Sequence, residues 1–184
     1  MKRIAILTSG GDAPGMNAAV RTAVLIGRAH GVQVWGVRGG YAGLLRGDLS
    51  PLEVDEVGGI QGVGGTILGT SRSEAFHEPD VRARARSVLI DAGSEGLIVV
   101  GGNGSLTGLH LMLNEASDSG LRGVGIPASI DNDLGHTRLC IGVDTAVNTI
   151  VEACDKLGDT ASSHGRVFIV EVMGRHCGYL AMSA

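Results

Sequence analysis

Three short segments carry glycine, serine and aspartate residues in patterns that suit phosphate chemistry: residues 8–15, 101–105 and 127–133. The first two are rich in glycine, and each lies between an apolar run and a helix-like segment. Backbone N–H groups and the helix dipole at such turns attract anions such as phosphates. The third segment carries Asp131 and Asp133 on either side of an asparagine. A carboxylate beside bound phosphates accepts the proton of an alcohol that attacks a phosphoryl group.

Each of these patterns also has a purely structural interpretation. Glycines make tight strand-to-helix turns, and an isolated Asp-x-Asp is commonly a helix N-cap or an Asx-turn. What favours phosphoryl transfer is the position of the three segments, because each follows a predicted strand. Open α/β sheets bind their ligands at the carboxyl ends of the strands.

The sequence also bears on two other classes of nucleotide-binding protein. It contains no G-x-x-x-x-G-K-[ST] motif, and its only lysines are Lys2 and Lys156, which excludes a P-loop NTPase. Gly102, Gly104 and Gly108 resemble the turn of a dinucleotide-binding fold, so a dehydrogenase stays open as an alternative. Against it, no acidic residue ends a strand about 20 residues further on, where a ribose would be bound.

Three arginines lie where they would meet phosphate groups: Arg72 after a Gly-Thr-Ser turn, Arg166 at the start of a predicted strand, and Arg175 just after that strand. The planar guanidinium group donates hydrogen bonds in pairs and keeps its charge, which suits phosphate oxygens. The arginines that alternate along a predicted helix, away from any glycine loop, are interpreted as solvated surface charges: Arg82, Arg84 and Arg86.

The surrounding sequence alternates short aliphatic runs with helix-length amphipathic segments, which is typical of an α/β protein. Strands are predicted at residues 4–7, 32–37, 97–100, 124–126 and 167–172. Helices are predicted at residues 16–30, 81–92 and 142–157, the last with an apolar stripe at three- and four-residue steps. Because most of the strands are apolar on both faces, we expect a doubly wound, Rossmann-like, mostly parallel sheet that helices cover on both sides.

The composition excludes several functional classes. A net charge of −4 gives no electrostatic basis for nucleic-acid binding. The apolar runs are far shorter than the roughly 20 residues of a membrane span, and the first residues lack the apolar region of a signal peptide. The three cysteines form no C-x-x-C pair, which argues against a disulfide framework or a zinc site. We therefore expect a cytoplasmic protein with a small-molecule ligand and without nucleic-acid or membrane partners.

Taken in order along the chain, these segments resemble the bacterial ATP-dependent 6-phosphofructokinases. The matching segments are residues 8–17, 65–72, 101–105, 129–133, 162–166 and 173–175, and the resemblance covers nearly the whole chain. It implies phosphoryl transfer from ATP to the 1-hydroxyl group of fructose 6-phosphate, giving fructose 1,6-bisphosphate, with Mg²⁺ as the cofactor. It also implies a homotetramer whose active sites lie at subunit interfaces.

The resemblance further implies two domains. Residues 1–140 correspond to a nucleotide-binding α/β domain, which is incomplete without a C-terminal return of the chain. Residues 141–184 correspond to the beginning of a similar, sugar-phosphate-binding domain. Polypeptides of this family continue well beyond the position of Ala184 and supply further ligands of the sugar phosphate there. We therefore expect these residues to be the N-terminal portion of a longer enzyme.

The resemblance also implies a role for each matching residue. Asp131 is expected to take the proton from the sugar hydroxyl group, and Ser129 and Arg175 to assist the transfer. The residues expected at the nucleotide are Gly11, Arg72, Gly102, Asn103, Gly104 and Ser105. Those expected at the sugar phosphate are Ser129, Asp131, Asp133, Arg166 from a neighbouring subunit, Met173, Gly174 and Arg175.

Position 103 departs from the family pattern, since the sequence has asparagine where the family has an aspartate that holds Mg²⁺. Asn103 is therefore expected to be a neutral metal ligand with a weaker attraction for a hard cation. Gly104 and Ala128 are small, as in the ATP-using rather than the pyrophosphate-using branch of the family. Two hypotheses follow: a 6-phosphofructokinase, or a catalytically weak nucleotide- or sugar-phosphate-binding paralogue that acts as a regulatory partner.

Overall fold

One mostly parallel sheet organises the computed structural model, which describes the backbone of residues 1–184 and every side chain except that of Ser117. Its strands are β1 (Arg3–Ser9), β2 (Gln33–Val37), β3 (Leu49–Pro51), β4 (Gly96–Gly101) and β5 (Arg122–Pro127). They lie in the order β3-β2-β1-β4-β5. β3 runs antiparallel to β2, whereas the other neighbours are parallel. The predicted doubly wound α/β class is thereby confirmed.

Helices cover both faces of this sheet. They are α1 (Met16–Ala29), α2 (Gly40–Arg46), α3 (Pro79–Asp91), α4 (Asn103–Asn114), α5 (Val143–His164) and α6 (Tyr179–Ser183). Because side chains alternate along a strand, Ala5 and Leu7 of β1 pack with residues of α2, α3 and α4, while Ile6 packs with residues of α1. The helices predicted at residues 16–30 and 81–92 correspond to α1 and α3.

A third, smaller apolar cluster lies after β5. Its buried members are Leu134, Cys140, Val143 and Leu180, so it joins the residues after β5 to the start of α5 and to α6. α5 runs on to His164, beyond the predicted end at residue 157. Its apolar stripe is only partly covered, since Val143 is its one buried residue among those described. Among the described helices, none combines the length and apolar character needed to cross a membrane.

The strand predicted at residues 167–172 is wrong for this structure. The segment has no regular secondary structure, and the side chains of Val167 and Ile169 are 93% and 96% exposed. A β-branched run becomes a strand only where a neighbour accepts and donates its backbone hydrogen bonds. Among the described residues, no strand pairs with this segment.

Gly43 in α2 lies against the backbone, and replacing it should destabilise the protein. A Cβ atom added there would lie 1.6 Å from the carbonyl oxygen of Arg38. We expect Gly43→Ala to lower the free energy of unfolding by about 1–3 kcal/mol or more, because the backbone must move. Denaturant unfolding measures this change.

Gly158 in α5 provides the matched control. Of the described atoms, none lies within 4 Å of a Cβ added at this position. Gly158→Ala should raise the free energy of unfolding by about 0.5–1 kcal/mol, since alanine loses less backbone entropy in a helix. Equal unfolding midpoints for the two variants would contradict the close packing at Gly43.

Candidate active site at the carboxyl edge of the sheet

The three segments singled out in the sequence meet at one edge of the sheet. β1, β4 and β5 are parallel neighbours, and Ser9 pairs with Gly101, which in turn pairs with Pro127. The N–H group of Ala128 donates to the carbonyl oxygen of Gly101 at 3.0 Å, which fixes the third segment beside the second. The residues that follow these strands therefore open side by side, as the sequence predicts.

The two glycine loops lie too close together for larger residues. A Cβ atom at Gly101 would lie 2.6 Å from the carbonyl oxygen of Ser9, and Gly10 has a positive φ of 93°. The hydroxyl group of Ser105 lies 2.9 Å and 3.4 Å from Cβ atoms added at Gly101 and Gly10. The buried Ser105 side chain therefore packs between the loops.

The outer glycines of the same loops border open space. Of the described atoms, none lies within 4 Å of a Cβ atom added at Gly11 or at Gly104. Gly104 is in the first turn of α4, and α1 begins just beyond Gly11 at Met16. Neither first turn contains an acidic residue among those described. The positive ends of two helix dipoles, with space in front of them, make this edge suited to a polyphosphate.

Arg72 is held beside the first glycine loop by its neighbours. The Thr70 hydroxyl group donates to the Gly10 carbonyl oxygen at 2.9 Å. The Gly10 N–H group donates to the carbonyl oxygen of Ser71 at 3.3 Å. The side chain of Arg72 itself is exposed to solvent. The backbone just before Arg72 thus lies beside Gly10, and the Arg72 guanidinium group forms no ion pair in the part of the chain that the structure describes.

Two polar residues to which the sequence pattern assigned no role of their own hold this arginine-bearing segment in place. The Thr8 hydroxyl group lies 2.8 Å from the carbonyl oxygen of Gly69, to which it donates. The side chain of Asn17 is 1% exposed. It donates to the Val63 carbonyl oxygen at 2.9 Å and accepts from the Ile67 N–H group at 2.8 Å. A polar residue on the buried stripe of a predicted helix is the signal that would have identified Asn17.

The side chain of Tyr41 contacts the first turn of α4. Its hydroxyl group donates to the Ser105 carbonyl oxygen at 2.7 Å, and its ring stacks on Phe76 with the ring centroids 3.8 Å apart. Burial raises the pKa of Tyr41 well above its usual value, so the hydroxyl group stays a donor even at alkaline pH. No pattern in the sequence pointed to this contact, because the two residues are far apart along the chain.

The aspartate segment after β5 touches the second glycine loop. The Asn103 side-chain amide donates to the backbone carbonyl oxygen of Asp133 at 3.2 Å. The Ser129 hydroxyl group donates to Oδ1 of Asp133, also at 3.2 Å. Asp131 is half-buried and Asp133 is exposed. The structure therefore brings Asn103, Ser129, Asp131 and Asp133 together at the opening between β4 and β5.

The residues predicted to contact the sugar phosphate fall into two groups: residues 173–175, which lie near the aspartate segment, and Arg166, which does not. Val172 packs against the same apolar cluster as Ile130, which places residues 173–175 near the aspartate segment. Gly174 has φ 150°, and a Cβ atom there would lie 2.3 Å from the Cys177 carbonyl oxygen, so this turn requires glycine. The side chains of Met173 and Arg175 are exposed.

Arg166 is not brought to this edge. It follows the C-terminal end of α5, whose 22 residues begin at the apolar cluster beside the aspartate segment. A helix of that length spans about 33 Å. Arg166 therefore lies far from Asp131 within the same chain.

The oxygen donors at this edge fit a magnesium–nucleotide complex better than an all-protein metal cage. Apart from the Asp131 carboxylate, they are the side-chain carbonyl oxygen of Asn103 and the carboxylate of Asp133, one oxygen of which already accepts from Ser129. Groups of three or more histidine, cysteine, aspartate or glutamate side chains that would hold a metal are absent among the described residues. Mg²⁺ usually takes one or two carboxylates and completes its shell with phosphates and water.

A separate open groove lies along α1 and is not suited to phosphate. It has a volume of about 750 Å³ and is lined mostly by apolar side chains, among them Ile4, Ile26, Ile98 and Ile126. Charged ligands are not stabilised by such a surface. The chemistry-bearing residues are at the carboxyl edge of the sheet instead.

Comparisons with known proteins point to one family. The family model for phosphofructokinase matches residues 3–184. The ATP-dependent 6-phosphofructokinase of Thermotoga petrophila is 58% identical over 184 residues, which are 100% of this chain and 57% of that protein. ATP-dependent 6-phosphofructokinase 1 of Thermus thermophilus is 52% identical over 182 residues, covering 99% of this chain and 56% of that protein. The chain thus spans about half the length of the curated relatives it matches.

Solved structures agree with the fold. The phosphofructokinase of Saccharomyces cerevisiae matches with a TM-score of 0.90 and 43% identity, over 99% of this chain and 27% of that chain. A pyrophosphate-dependent phosphofructokinase of Marinobacter aquaeolei matches with a TM-score of 0.85 over 100% of this chain and 48% of that chain. At 24% identity, that second likeness concerns the fold alone.

Proposed function

The chain belongs to the phosphofructokinase family, and from that premise we propose that the polypeptide containing it transfers the terminal phosphoryl group of ATP to the 1-hydroxyl group of fructose 6-phosphate. The product is fructose 1,6-bisphosphate. One observation carries this proposal: two glycine loops at helix N-termini and the segment with Asp131 meet at a single edge of the sheet. That arrangement combines a polyphosphate cradle with a carboxylate that can accept a proton.

The nucleotide polyphosphate would lie across the two glycine loops. Backbone N–H groups at Gly11 and at residues 102–105 would bind its oxygens, and Arg72 would neutralise part of its charge. Gly11 and Gly104 leave the space that this requires. Ala128, which is 2% exposed, has a small neutral side chain at the position where a pyrophosphate-using enzyme is expected to carry a cation. These features support ATP as the donor.

Transfer would proceed by direct attack of the sugar hydroxyl group on the terminal phosphorus atom. Asp131 would accept the hydroxyl proton as the new P–O bond forms and the bond to the leaving ADP breaks. Ser129 would hold an oxygen of the moving phosphoryl group, and Arg175 would offset its charge. Asp133, Met173 and Gly174 would orient the sugar phosphate.

Mg²⁺, when bound with the nucleotide, supplies charge neutralisation at the phosphates. Asn103 and Asp133 are the residues that would hold it, directly or through water, since their oxygens lie at the same opening. Because Asn103 is neutral and its amide nitrogen is engaged with the Asp133 carbonyl group, most of the protein's attraction for the cation would come from Asp133.

Asn103→Asp should strengthen this site. The added carboxylate provides a charged oxygen ligand, and we expect the Mg²⁺ concentration for half-maximal activity to fall by roughly tenfold, the equivalent of 1.4 kcal/mol. Calorimetric titration of Mg²⁺ in the presence of a non-hydrolysable ATP analogue measures the same change without turnover. Asn114→Asp at the far end of α4 is the matched control and should change neither value. An unaltered Mg²⁺ requirement in Asn103→Asp would show that position 103 is not near the metal.

The oligomer and the division into domains are part of the proposal. Arg166 lies about 33 Å along α5 from the aspartate segment, which supports its contribution to the active site of a neighbouring subunit in a homotetramer. Residues 1–140 would bind the nucleotide, and residues 141–184 would begin the sugar-phosphate domain. A cytoplasmic location agrees with a substrate of this kind.

The complete natural polypeptide that contains residues 1–184 should therefore release ADP when ATP and fructose 6-phosphate are both present. A continuous assay of ADP release tests this, with pyrophosphate in place of ATP and with other hexose phosphates as controls. Tight nucleotide binding without turnover would overturn the proposal and favour a non-catalytic paralogue. Better turnover with pyrophosphate than with ATP would overturn the choice of donor.

A further inference from the structure

Asn132, between the two aspartates of the candidate site, has a conformation that asparagine tolerates better than most residues. Its φ is 50°, in the left-handed region. Residues other than glycine rarely occupy that region, and asparagine is among those that do so most readily. Its own N–H group donates to the Ser129 carbonyl oxygen at 3.2 Å, which closes the turn that carries Asp131.

The side chain of Asn132 also joins the two ends of the loop that follows β5. Its Oδ1 atom accepts from the Cys140 N–H group at 2.9 Å. Its Nδ2 group donates to the Arg138 carbonyl oxygen at 3.3 Å. Both hydrogen-bonding groups of one amide are thus engaged with backbone six and eight residues further along the chain.

We call these two side-chain hydrogen bonds of Asn132 the tether. The backbone at its far end, around Cys140, is fixed by packing and by a hydrogen bond to the sheet. Cys140 is 3% exposed and packs in the apolar cluster with Val143 at the start of α5. The next residue, Ile141, donates its N–H group to the Pro127 carbonyl oxygen at 3.0 Å, which ties the loop back to the end of β5. The turn at Asn132 is therefore connected to both the sheet and α5.

We propose that Asn132 is a positioning residue that fixes the carboxylates of Asp131 and Asp133 for phosphoryl transfer. The inference rests on the proposed function, and Asn132 itself would touch neither substrate. A general base acts only within hydrogen-bond reach of the proton it removes. Misplacement of a reacting group by about 1 Å can cost 10²-fold in rate. The two side-chain hydrogen bonds of Asn132 restrict such movement in addition to the backbone bond that closes the turn.

Asn132→Gly removes the side-chain hydrogen bonds while keeping the backbone conformation, so the two contributions are measured separately. Glycine adopts a φ of 50° without strain, so only the two side-chain hydrogen bonds are lost. We expect kcat of the complete natural polypeptide to fall by about 10- to 100-fold. KM for ATP should stay within about twofold, because the nucleotide loops belong to other segments. Amide hydrogen exchange at Cys140 should become faster, which reports loss of the tether independently of turnover.

His136→Gly is the matched control. His136 lies in the same loop with φ 59° and is exposed, and no role at the site is assigned to it. This variant should keep the activity and the Cys140 amide protection of the unmodified protein. Asn132→Asp keeps the acceptor for the Cys140 N–H group, so it should retain that protection and lose less activity than Asn132→Gly.

The possible results distinguish the inference from the proposed function. If Asn132→Gly keeps kcat within about threefold while Cys140 exchange accelerates, the positioning role is overturned. Equal losses in Asn132→Gly and His136→Gly would overturn it too, because the effect would then belong to the loop in general. If the unmodified polypeptide does not phosphorylate fructose 6-phosphate, the proposed function fails and the positioning role fails with it.

Discussion

Asp131→Asn is expected to lower kcat of the complete natural polypeptide by about 10²- to 10⁴-fold, the usual cost of losing a general base. The substitution keeps the shape of the side chain but removes its ability to take the hydroxyl proton. Nucleotide affinity should remain nearly unchanged, because the loops proposed to bind ATP follow β1 and β4, whereas Asp131 follows β5. Steady-state kinetics together with calorimetric binding of an ATP analogue measure both quantities.

Asp55→Asn, at an exposed aspartate away from the carboxyl edge, is the control for this experiment. It should leave both kcat and nucleotide affinity unchanged. Turnover of Asp131→Asn within about threefold of the unmodified protein would contradict the role of Asp131 as the base. Loss of nucleotide binding in that variant would instead indicate a general disturbance of the sheet edge.

The parallel core of the fold was predictable because its strands have a sequence pattern that can be recognised without knowledge of their neighbours. β1 and β4 are apolar on both faces, and each is followed by a glycine loop and an amphipathic or glycine-rich helix. That combination is typical of strands buried between helix layers. The edge strand β3 was missed, since three residues including Pro51 give no periodicity to detect.

The segment at residues 167–172 shows the limit of the same reasoning. Its composition favours a strand, yet among the described residues it has no partner strand. Strand formation depends on a neighbour that lies elsewhere in the sequence or in the assembly, so composition alone does not determine it. The same limit explains why the apolar stripe of α5 was predicted correctly but is mostly uncovered here.

The candidate site was predictable to the extent that its residues lie at strand ends. Asn103, Ser129 and Asp133 come together because β4 and β5 are neighbours, which the doubly wound pattern anticipates. The supports contributed by Asn17 and Tyr41 were not anticipated. Their hydrogen bonds reach segments 46 to 64 residues away, and sequence spacing carries no signal for contacts of that kind.

Arg82 is the clearest error of interpretation, and the structure corrects it. It is not a solvated surface charge, since its side chain is 4% exposed. Its guanidinium group donates to Glu115 in a bidentate ion pair and to the carbonyl oxygens of Phe76 and His77 at 2.8 Å and 2.7 Å. Arg86 adds a second bond to Glu115 at 3.2 Å. Its partner Glu115 lies 33 residues away, at the C-terminal end of α4, so alternation along α3 could not reveal the pair.

Glu115→Ala should therefore destabilise the protein strongly. Removing the carboxylate leaves the buried Arg82 charge without its counter-ion, which costs about 3–5 kcal/mol for a fully buried pair; because Glu115 is 26% exposed, we expect a loss near the lower end of that range. The matched control is Glu152→Ala in the exposed ion pair with Lys156, where both side chains are about two-thirds or more exposed. Such a surface pair contributes about 0–1 kcal/mol. Denaturant unfolding compares the two variants, and equal losses would show that the Arg82–Glu115 pair does not stabilise the packing of α3 against α4.

The pH dependence of the same pair provides an independent check. Hydrogen bonds from Arg82, and secondarily from Arg86, hold the pKa of Glu115 below its usual range. A carboxyl group whose pKa is lower in the folded state contributes its full stabilisation above the pKa of the unfolded chain, about 4.3. That contribution is lost as the pH falls through the lower pKa of the folded state. The stability difference between the unmodified protein and Glu115→Gln should accordingly be constant near neutral pH and shrink below about pH 4. A difference that stays constant into that acid range would show that the ion pair is not its source.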